Sequence, residues 1–264
     1  MMAFNMPRES FRAFSPELET LAGAWAANAS TADGWQDDGF FGGSESNPFK
    51  VSVGNLSGIA KPGRKKTDNI CRAAHEKIAS DLAFELKLPV PPVILWDMGE
   101  PSDATRERYV AISAWAFPQP LPWGQGTAAL TDQHTLEASQ VMSAMQAFET
   151  WISAGDRRPD HVLTYLQTQG EPLQLAFIDY AYSMSQVWAA VDAPDGLVPT
   201  YLPVQPNVDS LRTMAERILQ FSDERVKTVV NRITKEYLPD AKKGIVLANL
   251  HSRQTKLFSL LGLK

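Results

Sequence analysis

The stretch from Trp151 to Met184 holds two short acidic motifs. The first is the loop Asp156-Arg-Arg-Pro-Asp-His161, and the second is the apolar run Leu175-Ala-Phe-Ile-Asp-Tyr180, which contains Asp179. A lone aspartate is weak evidence, because aspartate also caps turns and helices. Two carboxylates at this spacing are typical of phosphotransferases, which place a catalytic base and a magnesium ligand around a nucleoside triphosphate.

A glycine-containing turn precedes this stretch. The segment Phe40-Phe-Gly-Gly-Ser-Glu-Ser-Asn-Pro-Phe49 reads as a strand, a turn and the start of a second strand. Paired glycine most often serves a turn that needs positive backbone angles, and it also lets backbone amides approach phosphates closely. We expect Gly42, Gly43 and Ser44 to lie at a nucleotide.

A lysine and a glutamate follow in the order that kinases need. Lys61 ends the short apolar strand that begins at Leu56, and Glu76 lies near the start of a predicted helix over residues 73–86. The apolar residues of this helix recur at intervals of three and four, so one face is predicted to be buried. Glu76 is therefore predicted to hold the Lys61 ammonium against the phosphates. The ordinary alternative is a surface ion pair.

In this order the motifs resemble the HipA-like kinases, a bacterial branch of the protein-kinase fold that is also similar to phosphatidylinositol 4-kinases. The resemblance rests on the Gly-Gly-Ser-x-Ser turn at Gly42, the strand ending at Lys61, the Leu-Pro-Val-Pro sequence at Leu88, and the Asp156 loop followed by Asp179. It implies an α+β, two-lobed kinase-like fold, with a small β-rich nucleotide lobe and a larger, mainly helical lobe. The predicted units are residues 1–39, an amino-terminal helix and loop; 40–118, the nucleotide lobe; and 119–264, the helical lobe.

The resemblance also implies roles for single residues. Lys61 would contact the phosphates, Glu76 would orient Lys61, Asp156 would accept the proton of an attacking hydroxyl, and Asp179 would hold the metal. ATP and Mg²⁺ are the implied cofactors, with Mn²⁺ as an alternative. The implied activity is transfer of the γ-phosphate to a serine or threonine hydroxyl of a protein.

The main departure from the family pattern is His161, which stands where the family usually has asparagine. Magnesium prefers hard oxygen ligands, and an imidazole nitrogen is a poor replacement for an amide oxygen. Three outcomes stay open: a slow kinase with one well-held metal, a manganese-dependent kinase, or a pseudokinase that acts as an interaction module. His161 is a candidate metal ligand, and the alternative is a structural loop histidine. Arg157 and Arg158 either neutralise phosphate charge or, as the ordinary alternative, are solvated loop charges or pair with Asp160.

The segment after the strand predicted over 109–114 is Trp115-Ala-Phe-Pro-Gln-Pro120. A kinase fold has its hinge here, and backbone groups meet adenine, so Trp115 and Phe117 are predicted to contact the nucleotide. Ser44 and Ser46 are candidate autophosphorylation sites, because some HipA-like kinases resemble one another in modifying a serine of this loop; the alternative is that both are polar turn fillers.

Helices are predicted over residues 15–27, 131–153, 208–221, 224–237 and 240–263, and strands over 49–53, 56–60, 93–96 and 109–114. Residues 28–39 read as a loop. His75 is predicted to be a surface residue of its helix. The apolar residues of the 131–153 helix that are expected to face the core are Leu136, Val141, Met145, Phe148 and Ile152.

Composition is compatible with these expectations. The 264 residues are 44% hydrophobic and 21% charged, enough to build a large core. A net charge of -5 argues against a dedicated nucleic-acid binder. The single cysteine, Cys71, excludes an intramolecular disulfide, so a reducing cytoplasm is the expected location. No membrane segment is expected, and a lipid substrate is disfavoured.

Partners are predicted only by class: ATP, an unknown protein substrate, and, as a further candidate, an antitoxin or regulatory protein. Two further readings stay open beside the kinase and the pseudokinase. One is an enzyme that transfers adenylate on the same fold, and the other is a structural helical protein without nucleotide.

Overall fold

The computed structural model describes residues 9–32, 34–42, 47–64, 71–100, 106–125, 130–166, 171–184 and 204–264. The strands of this part of the chain are β1 Ser30–Thr31, β2 Gln36–Phe40, β3 Phe49–Val53, β4 Leu56–Arg64, β5 Val93–Asp97, β6 Arg106–Ala114, β7 Leu121–Pro122, β8 Val162–Tyr165 and β9 Gln174–Phe177. The helices are α1 Pro16–Ala27, α2 Arg72–Glu85, α3 Asp132–Trp151, α4 Val208–Leu219, α5 Asp223–Arg232, α6 Asp240–Thr255 and α7 Leu257–Leu260. The molecule therefore has a β-rich part and a helical part, as the sequence predicts.

The main sheet has six strands in the order β1-β5-β6-β4-β3-β2, and only the β1–β5 pair is parallel. In its register Lys61 lies opposite Ala111, and Ala111 lies opposite Leu95. Directly opposed residues project from the same face of a sheet. Ala111 and Leu95 pack in the core that contains α2, so the register turns Lys61 toward that helix.

Gly58 allows β4 and β6 to approach each other closely. A Cβ at this position would lie 2.8 Å from the carbonyl oxygen of Ser113 and 2.8 Å from Cγ2 of Ile112. A backbone carbonyl in a paired strand cannot move aside cheaply, so the pairing next to Lys61 requires glycine.

Helix α2 is more deeply buried than its sequence pattern indicates. Every residue from Arg72 to Ala83 is buried, because the sheet covers one side of the helix while α1 and α5 contact it elsewhere. The prediction that His75 lies on the surface is wrong, since the residue is 4% exposed. The helix ends before Lys87, which has a φ of 57°, and the prolines of the following segment prevent its continuation.

The amino-terminal helix is confirmed. Ser15 caps α1 by accepting a hydrogen bond from the Leu18 amide, and a proline follows in the first turn. The loop predicted over residues 28–39 is partly wrong, because β1 lies within it and β2 begins at Gln36. All five residues of β2 are exposed, so the strand lacks the apolar alternation that marks a half-buried strand.

The helical part is built around α3, which packs against α4, α6 and α7. Thr131 caps α3, and the four residues expected in the core beside Leu136 are buried. Leu136 itself is 39% exposed, so its predicted orientation is wrong. Helix α5 ends at Arg232, earlier than the predicted end at Tyr237. Tyr237 lies beyond the helix, where it is buried and packs on Tyr109 with ring centroids 4.9 Å apart.

A second sheet of three strands, in the order β7-β8-β9, supports the two acidic motifs. The Asp156 loop leads into β8 through a 3₁₀ turn at Pro159–His161, and Asp179 follows β9. Because β8 and β9 pair in antiparallel fashion, with Val162 opposite Phe177, the loop before β8 and the loop after β9 lie at the same end of these two strands. No helix among the described residues is long and apolar enough to cross a membrane.

Candidate active site

Lys61 and Glu76 form an ion pair between β4 and α2. Nζ of Lys61 donates a hydrogen bond of 2.8 Å to Oε1 of Glu76. The Lys61 side chain is 17% exposed and the Glu76 side chain 5%, so this is not a loose surface pair. Burial lowers the pKa of Lys61, but the carboxylates of Asp179 and Glu76 raise it by more, and the net pKa lies above its ordinary value. The lysine is therefore charged at neutral pH.

Asp179 completes this cluster from the helical part of the molecule. Its Oδ1 lies 3.6 Å from Nζ of Lys61, and the positive charge of Lys61 holds the pKa of Asp179 below its ordinary value. The residue has a φ of 71°, a left-handed conformation that aspartate tolerates better than most residues. The turn aims the carboxylate back toward β4.

Asp156 lies beside Asp179 at the same end of strands β8 and β9. Its Oδ1 is buried and has no hydrogen-bond partner. Burial raises the pKa of Asp156, and the charge of Asp179 raises it further. An unpaired carboxylate oxygen in such a place is available to a ligand, either a metal ion or a hydroxyl group.

Arg157 fixes the two acidic loops to each other. Its Nε lies 2.8 Å from Oε1 of Glu149 on α3, and both side chains are almost fully buried. Its Nη1 donates hydrogen bonds of 2.6 Å and 2.8 Å to the carbonyl oxygens of Ile178 and Asp179. Arg157 is therefore neither a solvated loop charge nor the partner of Asp160. The sequence does not identify Glu149, because nothing in the sequence around Arg157 indicates that a residue of α3 pairs with it.

Tyr180 extends this buried network. Its hydroxyl donates a 3.1 Å hydrogen bond to Glu149, and its ring lies under the guanidinium of Arg157 at 4.5 Å. Tyr180 directly follows Asp179, and its packing in the core holds the Asp179 loop in place.

Two residues of helix α2 also contact the loop after Asp179. The Nδ1 of His75 is 3.2 Å from the carbonyl oxygen of Ala181, and Arg72 lies over the ring of Tyr182 at 4.8 Å. Burial lowers the pKa of His75 to about 4, so its neutral ring donates Nδ1–H to that carbonyl. His75 and Glu76 are neighbours in sequence, and together they connect α2 to the acidic loop and to Lys61.

His161 lies between Asp179 and Arg158. Its Nε2 is 3.6 Å from Oδ2 of Asp179, 3.2 Å from Nε of Arg158 and 2.9 Å from Nη2 of Arg158. Burial, together with the charge of Arg157, lowers the pKa of His161 to about 4. Because the ring is neutral, its Nε2 lone pair accepts a hydrogen bond from Arg158. The same lone pair would be needed to bind a metal ion.

The residues predicted to contact the nucleotide fall into three groups. Trp115 is half-buried and packs edge-on against Phe41, with ring centroids 5.5 Å apart. Phe117 is 3% exposed and its ring stacks on Tyr165 at 5.4 Å, so its side chain belongs to the core. Gly42 has a φ of 148° and open space around its Cα, whereas Gly43, Ser44 and Ser46 lie outside the described residues. All these nucleotide contacts stay predictions.

The side chains present fit a metal ion that the nucleotide helps to bind. No group of three or more His, Cys, Asp and Glu residues is arranged to hold a metal by itself in the described part of the chain. Asp179 and the unpaired oxygen of Asp156 nevertheless offer two carboxylates at one place. Magnesium in kinase sites is typically bound by one or two carboxylates together with substrate phosphates.

Comparison with known proteins supports the architecture. No protein-family model matches the sequence, and no curated protein matches it. The solved structure of the Helicobacter pylori proinflammatory kinase CtkA is similar over 87% of this chain and 95% of that chain, with a TM-score of 0.59 and 12% identity. The Golgi casein kinase with Mn/ADP bound is similar over 96% of this chain and 77% of that chain, with a TM-score of 0.53 and 9% identity. The chain therefore has a kinase-like fold, with a β-sheet lobe and a helical lobe.

Proposed function

We propose that this protein is an ATP-dependent kinase of the HipA-like type that transfers the γ-phosphate to a serine or threonine hydroxyl of a protein. The observation that carries the proposal is the cluster in which Lys61 lies 2.8 Å from Glu76 and 3.6 Å from Asp179. A lysine bound by a helical glutamate and facing an acidic loop is the arrangement by which kinases hold a triphosphate. The kinase-like fold supports the same conclusion.

Lys61 and Glu76 act on the nucleotide phosphates. Lys61 keeps its charge because two carboxylates face it, so it can attract the negative phosphate oxygens throughout the reaction. Glu76 holds the ammonium in one position, which limits the reorganisation that phosphate binding requires. Gly42 and the residues that follow it are proposed to cover the phosphates with backbone amides.

Asp179 and Asp156 act on the metal and on the acceptor. Asp179 would hold a divalent metal, which would supply positive charge against the negative charge that develops on the phosphate during transfer. Mg²⁺ is the proposed ion, and Mn²⁺ is an alternative that agrees with the Mn/ADP named for the Golgi casein kinase. Asp156 has an oxygen free to accept a hydrogen bond from the attacking hydroxyl.

The chemical step is a displacement at the γ-phosphorus. The acceptor oxygen forms a bond to phosphorus while the bond between phosphorus and the β,γ-bridging oxygen breaks, and ADP leaves with that electron pair. The proton of the hydroxyl passes to Asp156, whose raised pKa suits it to hold a proton once the transfer is under way.

A pseudokinase is the second candidate, and His161 is the observation that favours it. Its Nε2 is engaged by Arg158, so the usual asparagine oxygen is replaced by a nitrogen that is not free. This reading predicts nucleotide binding without turnover, in a protein whose function is to bind a regulatory partner. Adenylate transfer on the same fold is the third reading, and it differs from the other two in the mass of its product.

Intact-mass measurement after incubation with ATP and either Mg²⁺ or Mn²⁺ tests these readings, with a mixture of serine- and threonine-containing peptides as acceptors. We expect a phosphate-sized gain on the chain or on peptides, and its loss in Asp179→Ala. Asp209→Asn, a change at an exposed carboxylate on α4, is the matched control and should keep the wild-type gain. An adenylate-sized gain would support the third reading. Nucleotide binding with no gain on any acceptor would support the pseudokinase.

A further inference from the structure

The position where kinases bind a second metal is changed in this protein in a specific way. In kinases with two magnesium ions, the acidic loop and a catalytic-loop asparagine hold the metals. Here His161 stands where that asparagine is expected, and its Nε2 is 3.6 Å from Oδ2 of Asp179. The site has thus lost an oxygen ligand at the place where the second ion would lie.

The positive charge of Arg158 lies at the same place. The guanidinium of Arg158 lies on the Nε2 of His161, at 2.9 Å from Nη2 and 3.2 Å from Nε. The same nitrogen lies 3.6 Å from Oδ2 of Asp179, so the guanidinium and the carboxylate that would bind metal both lie beside this one atom. A metal ion at this nitrogen would need the lone pair that Arg158 uses, and it would also be repelled by the guanidinium.

Arg158 is placed to reach a ligand. Its side chain is 64% exposed, and it also makes a 3.4 Å pair with Asp160, a residue that is itself largely exposed. An exposed ion pair of this kind is weak and exchanges readily for a better partner. Arg157, by contrast, is buried and bound to Glu149, so it cannot turn toward a phosphate without breaking that pair.

We propose that this site works with a single divalent cation and that the Arg158 guanidinium occupies the place of the second, contacting the terminal phosphates of the nucleotide. The inference rests on the proposed function and names a further binding residue for it. A guanidinium can take over this role, because arginine supplies fixed charge and forked donors to phosphate oxygens, as arginine fingers do in other phosphoryl-transfer enzymes. Asp160 releases Arg158 when the nucleotide binds.

Counting bound manganese tests the inference directly. Electron paramagnetic resonance of free Mn²⁺ gives the number of ions bound per chain at saturating non-hydrolysable ATP analogue. We expect one ion for the wild type. The combined change Arg158→Ala and His161→Asn removes the guanidinium and restores an amide oxygen, and it should bind two. Two ions bound to the wild type would overturn the inference.

Nucleotide affinity provides the second readout. Arg158→Ala should weaken the ATP analogue about tenfold or more, because a charge-assisted contact to the terminal phosphate is lost, and should weaken ADP clearly less. Arg225→Ala, which removes an exposed arginine on α5, is the matched control and should change neither affinity. Equal affinities for Arg158→Ala and the wild type would overturn the inference.

The two proposals fail in different ways. A wild-type chain that binds neither Mn²⁺ nor the ATP analogue would overturn the proposed function, and the inference with it. A wild-type chain that binds the analogue with two Mn²⁺ ions would leave the proposed function standing and overturn the role of Arg158 alone.

Discussion

The buried pair of Lys77 and Asp81 on α2 provides a sharp test of how this helix is held. Nζ of Lys77 lies 2.6 Å from Oδ1 of Asp81 and donates a 2.8 Å hydrogen bond to the carbonyl oxygen of Trp25 on α1. Lys77 is fully buried and the Asp81 side chain is 4% exposed. Arg232 on α5 lies 4.0 Å from Oδ2 of Asp81 and also donates to the carbonyl oxygen of Ala26. The pair thus connects α2 to both neighbouring helices.

Asp81→Asn should destabilise the protein strongly. The change leaves the Lys77 ammonium buried beside one carbonyl and without its counter-ion, and breaking a buried pair in this way costs about 3–5 kcal/mol. That is a large part of the total stability of about 5–15 kcal/mol that a folded domain has. The double change Lys77→Met and Asp81→Leu removes both charges and should lie within about 2 kcal/mol of the wild type.

Urea unfolding followed by tryptophan fluorescence at pH 7 measures these differences by linear extrapolation. Lys227→Met is the matched control, since it breaks the exposed pair with Glu224 on α5 and should leave the midpoint unchanged. The reasoning would be refuted if Asp81→Asn cost less than about 1 kcal/mol, or if the double variant were as unstable as Asp81→Asn.

Three further predictions follow from single contacts. Because burial holds the pKa of His75 near 4 instead of 6.5, the folded protein loses stability as pH falls through that window. Between pH 7 and pH 5 the free energy of unfolding should fall by about 2 kcal/mol through His75, and His75→Gln should lack this fall when unfolding is measured at both pH values. An equal fall in the variant and the wild type would contradict the lowered pKa of His75. Gly58→Ala should cost about 1–3 kcal/mol in urea unfolding, because its Cβ would meet the Ser113 carbonyl, and no cost would show that the strands can separate there. Glu76→Gln should lower kcat/KM for ATP about 10- to 100-fold through loss of the charged partner of Lys61, while a change below about twofold in steady-state assays would exclude that role.

The sequence predicts the parts of this molecule that depend on local pattern. The strand carrying Lys61 is found where the sequence places it, although β4 continues past Lys61 to Arg64. The helix carrying Glu76 and the amino-terminal helix are also found where the apolar spacing places them. Asp156 and Asp179 come together because both flank strands of one small sheet. These residues could be singled out because their motifs follow one another in a fixed order along the chain.

What the sequence does not predict depends on contacts between distant elements. Helical periodicity assigns His75 to a surface because it cannot show that the loop after Asp179 packs against this side of α2. The loop sequence offers Asp160 as a partner for Arg157, whereas the actual partner, Glu149, lies on α3. Most of strand β2 lies within the loop that the sequence predicts, because a strand exposed at every position carries no apolar alternation.

The most direct test of the central claim is transfer of label from ATP, compared between ATP labelled in the γ-phosphate and ATP labelled in the α-phosphate. With Mn²⁺ or Mg²⁺ and a mixture of serine- and threonine-containing peptides, the wild type should transfer the γ label and not the α label. Asp179→Ala and Asp156→Asn should transfer neither above about one hundredth of the wild-type rate. Transfer of the γ label by both variants at the wild-type rate would contradict the account, and so would transfer of the α label by the wild type.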